Sequence, residues 1–340
     1  MRGRRWTLAS LGRRSRRAWP LVLVVAVVEV GAAAWQAARV PAAADWERAA
    51  SWVRSEHRAG DAIVAAPAWT DPLVRERLGD LIPISVAGMS DADGVARWWE
   101  VSIRGAADYR SPRTPPEAER RFGRVRVRRW TLAPNVVYDL TANIADARAL
   151  LRTRGTEQPC RWVTGVRPMG GGLGRGPMAP PSRFACPALG SGAWIGRTVI
   201  EDLALEPRTC VLQRPSARGA VRVVYDDVPL GERLVVYAGL YSEDERMRDG
   251  APVHVVVRVD GRVRADLVHR DGDGWARWVV PTDDGPSGAT TEAHGRRGQI
   301  AIDVLSPNPE RRSLCWAATV RSGPPREPPP PEPQGSEVRR

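Results

Sequence analysis

Lysine is absent from this chain, and all 51 basic residues are arginine. That uniformity reads as a GC-rich coding sequence before any function. It also removes the phosphate-loop reading of Gly170–Pro177, which lacks the Lys-Ser/Thr pair, a strand before it and a helix after it. Only four histidines occur, His57, His254, His269 and His294, and no Gly-x-Ser-x-Gly elbow accompanies them. The four cysteines show no Cys-x-x-Cys or Cys-x-x-His spacing, which argues against zinc. Beyond the N-terminus no arginine run is interleaved with aromatics, and half of the net charge of +12 sits in the first 38 residues, where seven arginines face Glu29 alone. Nucleic-acid binding is excluded on that distribution. The 340 residues leave room for about two domains plus extras.

Those seven arginines (Arg2, Arg4, Arg5, Arg13, Arg14, Arg16, Arg17) stand before an apolar stretch, Ala18–Ala38. Positive charge stays cytoplasmic, so residues from about Pro41 onward are expected in an extracytoplasmic, oxidising space such as the periplasm. The stretch has the length of a membrane span, with Glu29 near its middle as a cost. A cleaved signal peptide is the competing reading, with Pro41-Ala42-Ala43-Ala44 as the cleavage region. Ser15-Arg16-Arg17-Ala18-Trp19 also resembles a twin-arginine export signal. The expected layout is a basic segment 1–17, a signal anchor 18–38, and an exported remainder. Anchor and signal peptide alike place that remainder across the membrane.

The fold class expected is an α+β multidomain chain. Residues 41–150 read as a small layered α/β domain. Helices are predicted over Asp45–Arg54, from Asp71-Pro72 to Leu78, and over Asp91–Ile103. Strands are predicted over Asp61–Ala66, Leu81–Val86 as an edge, and Phe122–Trp130 with one arginine face, some of them paired in parallel. Residues 151–198, rich in Gly and Pro between Cys160 and Cys186, read as a linker or a stapled loop region. Residues 199–322 alternate with period two and break at Gly, Pro and Asp turns, Asp260-Gly261 being a type I′ signal. They predict an antiparallel, jelly-roll-like β-sandwich. Residues 323–340 read as a disordered proline-rich tail.

Cys160, Cys186, Cys210 and Cys315 are an even set in an oxidising space. Three pairings are possible; Cys160–Cys186 with Cys210–Cys315 is favoured, because first and last strands are often neighbours in Greek-key sandwiches. Asp226-Asp227 and Asp283-Asp284 sit at turn signals and read as turn residues. The sharper cluster is His269-Arg270-Asp271-Gly272-Asp273-Gly274-Trp275, at a loop joining two strands. Its candidate ligand-binding residues are His269, Asp271, Asp273 and Trp275. Asp271 and Asp273 are the candidate ligands if calcium binds, although the distal Glu of an EF-hand is missing. The plainer alternative is a tight hairpin with solvated aspartates and a core-facing Trp275. Fourteen tryptophans against two phenylalanines suit either stacking on sugar rings or core packing.

Two stretches resemble known families. Asp45 to Trp130, with Ala59-Gly60-Asp61-Ala62-Ile63-Val64-Ala65 and Arg97-Trp98-Trp99-Glu100-Val101, resembles the soluble extracytoplasmic region of polyprenyl-phosphate-dependent glycosyltransferases of the protein-mannosyltransferase type. That family has many spans and an acidic pair in its first external loop, which this chain lacks, so its catalysis does not carry over. Val224–Gly231 through His269–Trp275 is similar to the galactose-binding-like sandwiches of exported bacterial proteins, which bind carbohydrate or mediate assembly. The expectation is therefore a membrane-anchored extracytoplasmic binding protein without a catalytic set. Its implied partners are a glycan or a membrane glycosyltransferase. The alternatives are a hydrolase or transferase with dispersed residues, His269, Asp271 and Asp273 among them, and a purely structural envelope protein.

Overall fold

The computed structural model describes residues 11–171, 176–247, 249–282 and 295–323. The first ten residues, the tail beyond Gly323, Asp283-Asp284 and His294 lie outside them. Helix α1 (Leu11–Ala37) carries a 19-residue apolar segment, Trp19–Ala37, none of which is buried against the rest of the chain. It is long and apolar enough to cross a membrane.

A four-stranded unit comes next, built from α2 (Ala43–Glu56), β1 (Ala62–Ala66), α3 (Asp71–Leu78), the single turn α4 (Ile84–Ala87), β2 (Arg97–Ile103), β3 (Ala118–Phe122) and β4 (Val125–Thr131). The strand order is β1-β2-β4-β3, parallel between β1 and β2 and antiparallel elsewhere. The Asp45 carboxylate accepts from the Ala42 N–H at 3.3 Å and so satisfies one orphan donor where α2 begins. Trp46, Ala49, Ala50 and Val53 then recur at helical spacing. They bury against Trp99 and Val101 of β2 and Val125 and Val127 of β4. The opposite face packs Trp98 and Trp130 against Ala62 and Val64.

Three expectations for this unit are corrected. Leu81–Val86 is not an edge strand: a 3₁₀ turn ends at Leu81, and Pro83, with φ −62°, opens the turn α4. Asp91–Ile103 is not a helix: residues 91–96 are loop and Arg97–Ile103 is strand β2. Every residue of β2 is buried, because both faces of the sheet are covered, and such a strand has no polar stripe to betray a period of two. Phe122–Trp130 is not one strand. Gly123, at φ +58°, turns the chain into the β3–β4 hairpin, where an added Cβ would lie 2.3 Å from the Asp45 carboxylate.

The rest is an antiparallel two-sheet sandwich. Its strands are β5 (Val136–Asp139), β6 (Arg148–Thr153), β7 (Thr156–Pro159), β8 (Arg161–Val163), β9 (Arg183–Ala185), β10 (Trp194–Glu201), β11 (Pro207–Leu212), β12 (Ala220–Pro229) and β13 (Arg233–Leu240). After the turn α5 (Ser242–Arg246) come β14 (Val253–Val259), β15 (Arg262–His269), β16 (Ala276–Pro281), β17 (Arg297–Leu305) and β18 (Leu314–Arg321). One sheet runs β16-β13-β18-β11-β10-β9-β8, with β5 also paired to β18; the other runs β15-β14-β17-β12-β6-β7. Residues 151–198 are therefore not a linker. Six strands from β5 to β10 belong to the sandwich, which begins near residue 136 instead of 199. The glycines and prolines that suggested a linker lie mostly in the excursion between β8 and β9.

In β14 Val253, Val255, Val257 and Val259 point inward while the intervening residues are half-buried. Each such valine contributes about 1.5–3 kcal/mol when fully buried. Asp260 and Gly261, at φ +50° and +77°, make the two-residue turn into β15, as the type I′ signal predicts. Both disulfides form in the favoured pairing. Cys160–Cys186 closes the start of the sandwich, and Cys210–Cys315 joins β11 to its neighbour β18.

Candidate functional site

The outer face of the β13–β18–β11 region does not face solvent. The four-stranded unit presses its 88–94 and 106–114 loops onto it. Thr209 N–H donates to the Gly88 carbonyl at 2.8 Å. Tyr237 of β13 donates its hydroxyl to Asp91 Oδ2 at 2.6 Å. Arg321, at the end of β18 and 2% exposed, reaches Asp91 at 2.8 Å and also pairs with Asp93. Asn135, on the crossing segment between the units, donates to Asp93 at 3.3 Å.

A second set of contacts lies beside the first. Tyr109 donates to Glu206 at 3.1 Å and accepts from Arg208 at 3.2 Å, while Arg208 pairs with Asp202 at 2.6 Å. Glu100, fully buried on β2, holds the 106–111 loop from below. It accepts from Ser111 Oγ at 2.7 Å and from Asp108 N–H at 3.0 Å, and pairs with Arg128.

Of these groups Asp91, Asp93, Tyr109, Ser111 and Asn135 line a cleft of about 760 Å³. Arg110, Arg113, Arg277 and Ser322 also line it, together with the apolar Leu132, Pro134, Val136 and Val137. A smaller cavity of about 330 Å³ shares Asp91, Pro134 and Val136. Burial opposes the charge on Asp91. The Arg321 guanidinium and the Tyr237 hydroxyl outweigh it and hold the carboxyl below its usual range. Burial pushes the Tyr109 phenol up to about 12, and Tyr237 is raised by burial and by Asp91. Among the described residues the Arg277 guanidinium makes no hydrogen bond or ion pair, while the Arg277 backbone lies in the β13–β16 ladder opposite Tyr237; Asn135 Oδ1 is buried and has no hydrogen-bond partner. The cleft therefore offers a half-buried cation among apolar side chains.

The predicted site residues lie elsewhere, next to this junction, and are occupied by the protein itself. Asp271 pairs with the buried Arg312 at 2.5 Å and accepts from Gly250 N–H at 3.0 Å. Asp273 accepts from Arg270 N–H at 2.7 Å and closes its own turn. His269 is fully buried 3.5 Å from Glu245, whose carboxylate accepts from Gly272 and Gly274 N–H at 3.1 and 2.7 Å. Among the described residues no group of three or more His, Cys, Asp or Glu is arranged to hold a metal. Asp271 and Asp273, the candidate ligands if calcium binds, are engaged within the protein: one is paired with Arg312 and the other carboxylate caps a turn. Trp275 donates to Ser90 Oγ at 3.0 Å and stacks on Tyr237 at 6.4 Å between ring centroids, with Arg208 above it. It wedges the junction and is not a free stacking platform.

Asp226 and Asp227 are not turn residues: they form the bulge of β12 between Tyr225 and Val228, where Asp227 has φ +54°, and they pair with Arg148 and Arg297. His57 caps α2, and His254 lies 2.9 Å from Asp266. The residues that line the cleft were not foreseen. Asp91 and Asp93 sit in a stretch that reads as helix, and Arg277 alternates along a strand like any outward residue.

No protein-family model and no curated protein matches the chain. The likeness of residues 45–130 to mannosyltransferase-type enzymes has no counterpart there. Among solved structures, the CBM51-2 and INT domains from Clostridium perfringens ZmpB share 14% identity at a TM-score of 0.25, over 37% of this chain and 26% of that one. CBM51 from Clostridium perfringens GH95, in complex with methyl-galactose, shares 9% at 0.24, over 37% and 81%. The tandem CBM51 modules of the family 98 glycoside hydrolase Sp3GH98 from Streptococcus pneumoniae SP3-BS71 share 15% at 0.27, over 70% and 74%. The chain spans about a quarter of the first of these. TM-scores this low assign neither fold nor ligand, and the sandwich rests on the strand pairing of the chain itself.

Proposed function

We propose that this chain is a single-pass, membrane-anchored extracytoplasmic binding protein whose ligand is a sugar or similar polyhydroxylated molecule. The ligand sits in the cleft between the four-stranded unit and the sandwich. One observation carries the reading: the cleft sets the Arg277 guanidinium, which has no hydrogen-bond or ion-pair partner among the described residues, beside the apolar Leu132, Pro134 and Val136. Sugars present both donors and acceptors around their rings and an apolar face, and a cleft of a few hundred cubic ångströms with few convergent polar groups suits them. The anchor reading is supported by the exposed helix Trp19–Ala37 and by two disulfides beyond it.

A glycan-array screen of the full chain in non-ionic detergent, wild type beside Arg277→Leu, tests this. The expected result is a defined hit weakened about tenfold or more by the substitution, since a hydrogen bond to a charged group contributes about 1.5–3 kcal/mol. A blank array from folded protein overturns the sugar reading. A role beside a lipid-linked glycosyltransferase is the finer form of this proposal, and co-purification of a multi-span glycosyltransferase with the tagged chain from native membranes tests it.

A further inference from the structure

A second cavity, of about 430 Å³, lies where the apolar helix ends and the four-stranded sheet begins. Five arginines line it: Arg39, two residues beyond α1, and Arg104, Arg121, Arg124 and Arg126 from the β2–β3–β4 edge. The acids nearby are largely committed. Asp45 is taken by Arg48 and by the Ala42 and Arg124 N–H groups, and Glu119 lies 3.5 Å from Arg121. No carboxylate bonds the guanidinium of Arg39, Arg104, Arg124 or Arg126 among the described residues; Arg126 instead reaches Ser102 Oγ and the Ala106 carbonyl.

Two exposed tryptophans flank the arginines. Trp35 is 58% exposed with Arg39 stacked 3.9 Å from its ring centre, and Trp69 is 59% exposed with Arg104 at 5.6 Å. Tryptophan with arginine at the end of a span is the pattern of the interfacial belt, where the ring lies at headgroup depth. A pocket at that depth in which four of five guanidiniums have no carboxylate partner among the described residues suits an anion, and the anion abundant there is lipid phosphate. We infer that this pocket binds the phosphate headgroup of an anionic lipid in the extracytoplasmic leaflet and fixes the sheet against the membrane. The inference rests on the anchor reading of α1.

The test is lipid retention. Full chain is reconstituted in bilayers of equal dioleoyl-phosphatidylglycerol and dioleoyl-phosphatidylcholine, released into non-ionic detergent, and the bound lipid counted by native mass spectrometry. Wild type is expected to retain phosphatidylglycerol selectively. Each arginine near an anionic surface strengthens association about fivefold, so Arg104→Gln/Arg121→Gln/Arg124→Gln together should reduce retention by about a hundredfold. The three side chains are exposed, and the matching Arg→Lys variant should keep most of the selectivity, which separates lost charge from lost fold. Equal retention of both lipids, or selectivity unchanged in the Gln variant, overturns the inference. Displacement by inorganic phosphate but not by dihexanoyl-phosphatidylglycerol overturns the lipid in favour of free phosphate. Carbonate extraction of native membranes separates the two readings. A chain that resists extraction yet shows no selectivity leaves the anchor standing and removes the pocket; a chain that is extracted removes both.

Discussion

Replacing Arg321 by methionine should invert the pH dependence of stability. Arg321 is 2% exposed and holds Asp91 and Asp93 across the junction between sheet and sandwich. Without it Asp91, whose side chain is 16% exposed, keeps only neutral donors, the Tyr237 hydroxyl and the Asp93 N–H. Breaking a buried pair by removing one partner costs 3–5 kcal/mol, and the residual exposure of Asp91 places the expected loss at about 3 kcal/mol at pH 7. In the wild type the Asp91 carboxyl is held below its usual range. Its contribution is present above that range and is lost as pH falls through the lowered value. In the variant burial acts without the guanidinium, so the folded state favours the protonated acid, and stability is gained as pH falls. The deficit should therefore shrink by about half or more between pH 7 and pH 4. Urea unfolding followed by tryptophan fluorescence in non-ionic detergent, at both pH values, measures it. The double variant Arg321→Met/Asp91→Asn should recover part of the loss at pH 7, the remainder reflecting the Asp93–Arg321 pair that stays broken. An equal deficit at both pH values, or a loss below about 1 kcal/mol, would refute the account of the junction as a buried ionic lock.

The Cys210–Cys315 bridge closes a loop of 105 residues, so Cys210→Ser/Cys315→Ser should cost about 4.8 kcal/mol in the chain-entropy account, against about 3.5 for the 26-residue Cys160–Cys186 loop. Equal losses by urea unfolding would count against loop length as the cause. All five tyrosines are raised from the ordinary value of 10, with burial the largest cause for each, Tyr109 to about 12. The neutral phenols stabilise the fold below pH 10, and that contribution is lost as pH rises through the raised values. Absorbance at 295 nm should show no phenol with a midpoint at or below pH 10; one that does is not buried as described. Trp275→Ala should destabilise by about 2 kcal/mol, from the lost stack on Tyr237 and the hydrogen bond to Ser90. Lost glycan binding with unchanged stability would restore Trp275 as a binding platform.

What could be read from the sequence was what local pattern alone decides. The alternating valines of β14 face one apolar layer, so period two was visible, and Asp260-Gly261 announced its turn by backbone preference alone. Helix α2 was legible because only one of its faces is buried. Strand β2 was not, because Trp98 and Trp99 point to opposite, equally covered faces. The short strands β7, β8 and β9 escaped for another reason. At three or four residues each they carry too little pattern to outweigh the glycines and prolines around them.

The site was misplaced by the same logic. An Asp-Gly-Asp-Gly-Trp loop is rich in groups that bind ions and sugars, but a sequence shows what a loop offers and not what already meets it. Asp271 is met by Arg312, 41 residues away, and Trp275 by Ser90, 185 residues away. Neither partner has any local signature. The junction residues suffer the reverse concealment: Arg321, Asp91 and Arg277 each look like one more surface charge in a chain that is 26% charged. What distinguishes them is long-range placement. Arg321 and Asp91 neutralise each other in a buried contact, and that leaves Arg277 as a cleft cation with no internal counterpart among the described residues. A binding site on this chain is better sought where the fold leaves a charge unanswered than where the sequence concentrates attractive residues.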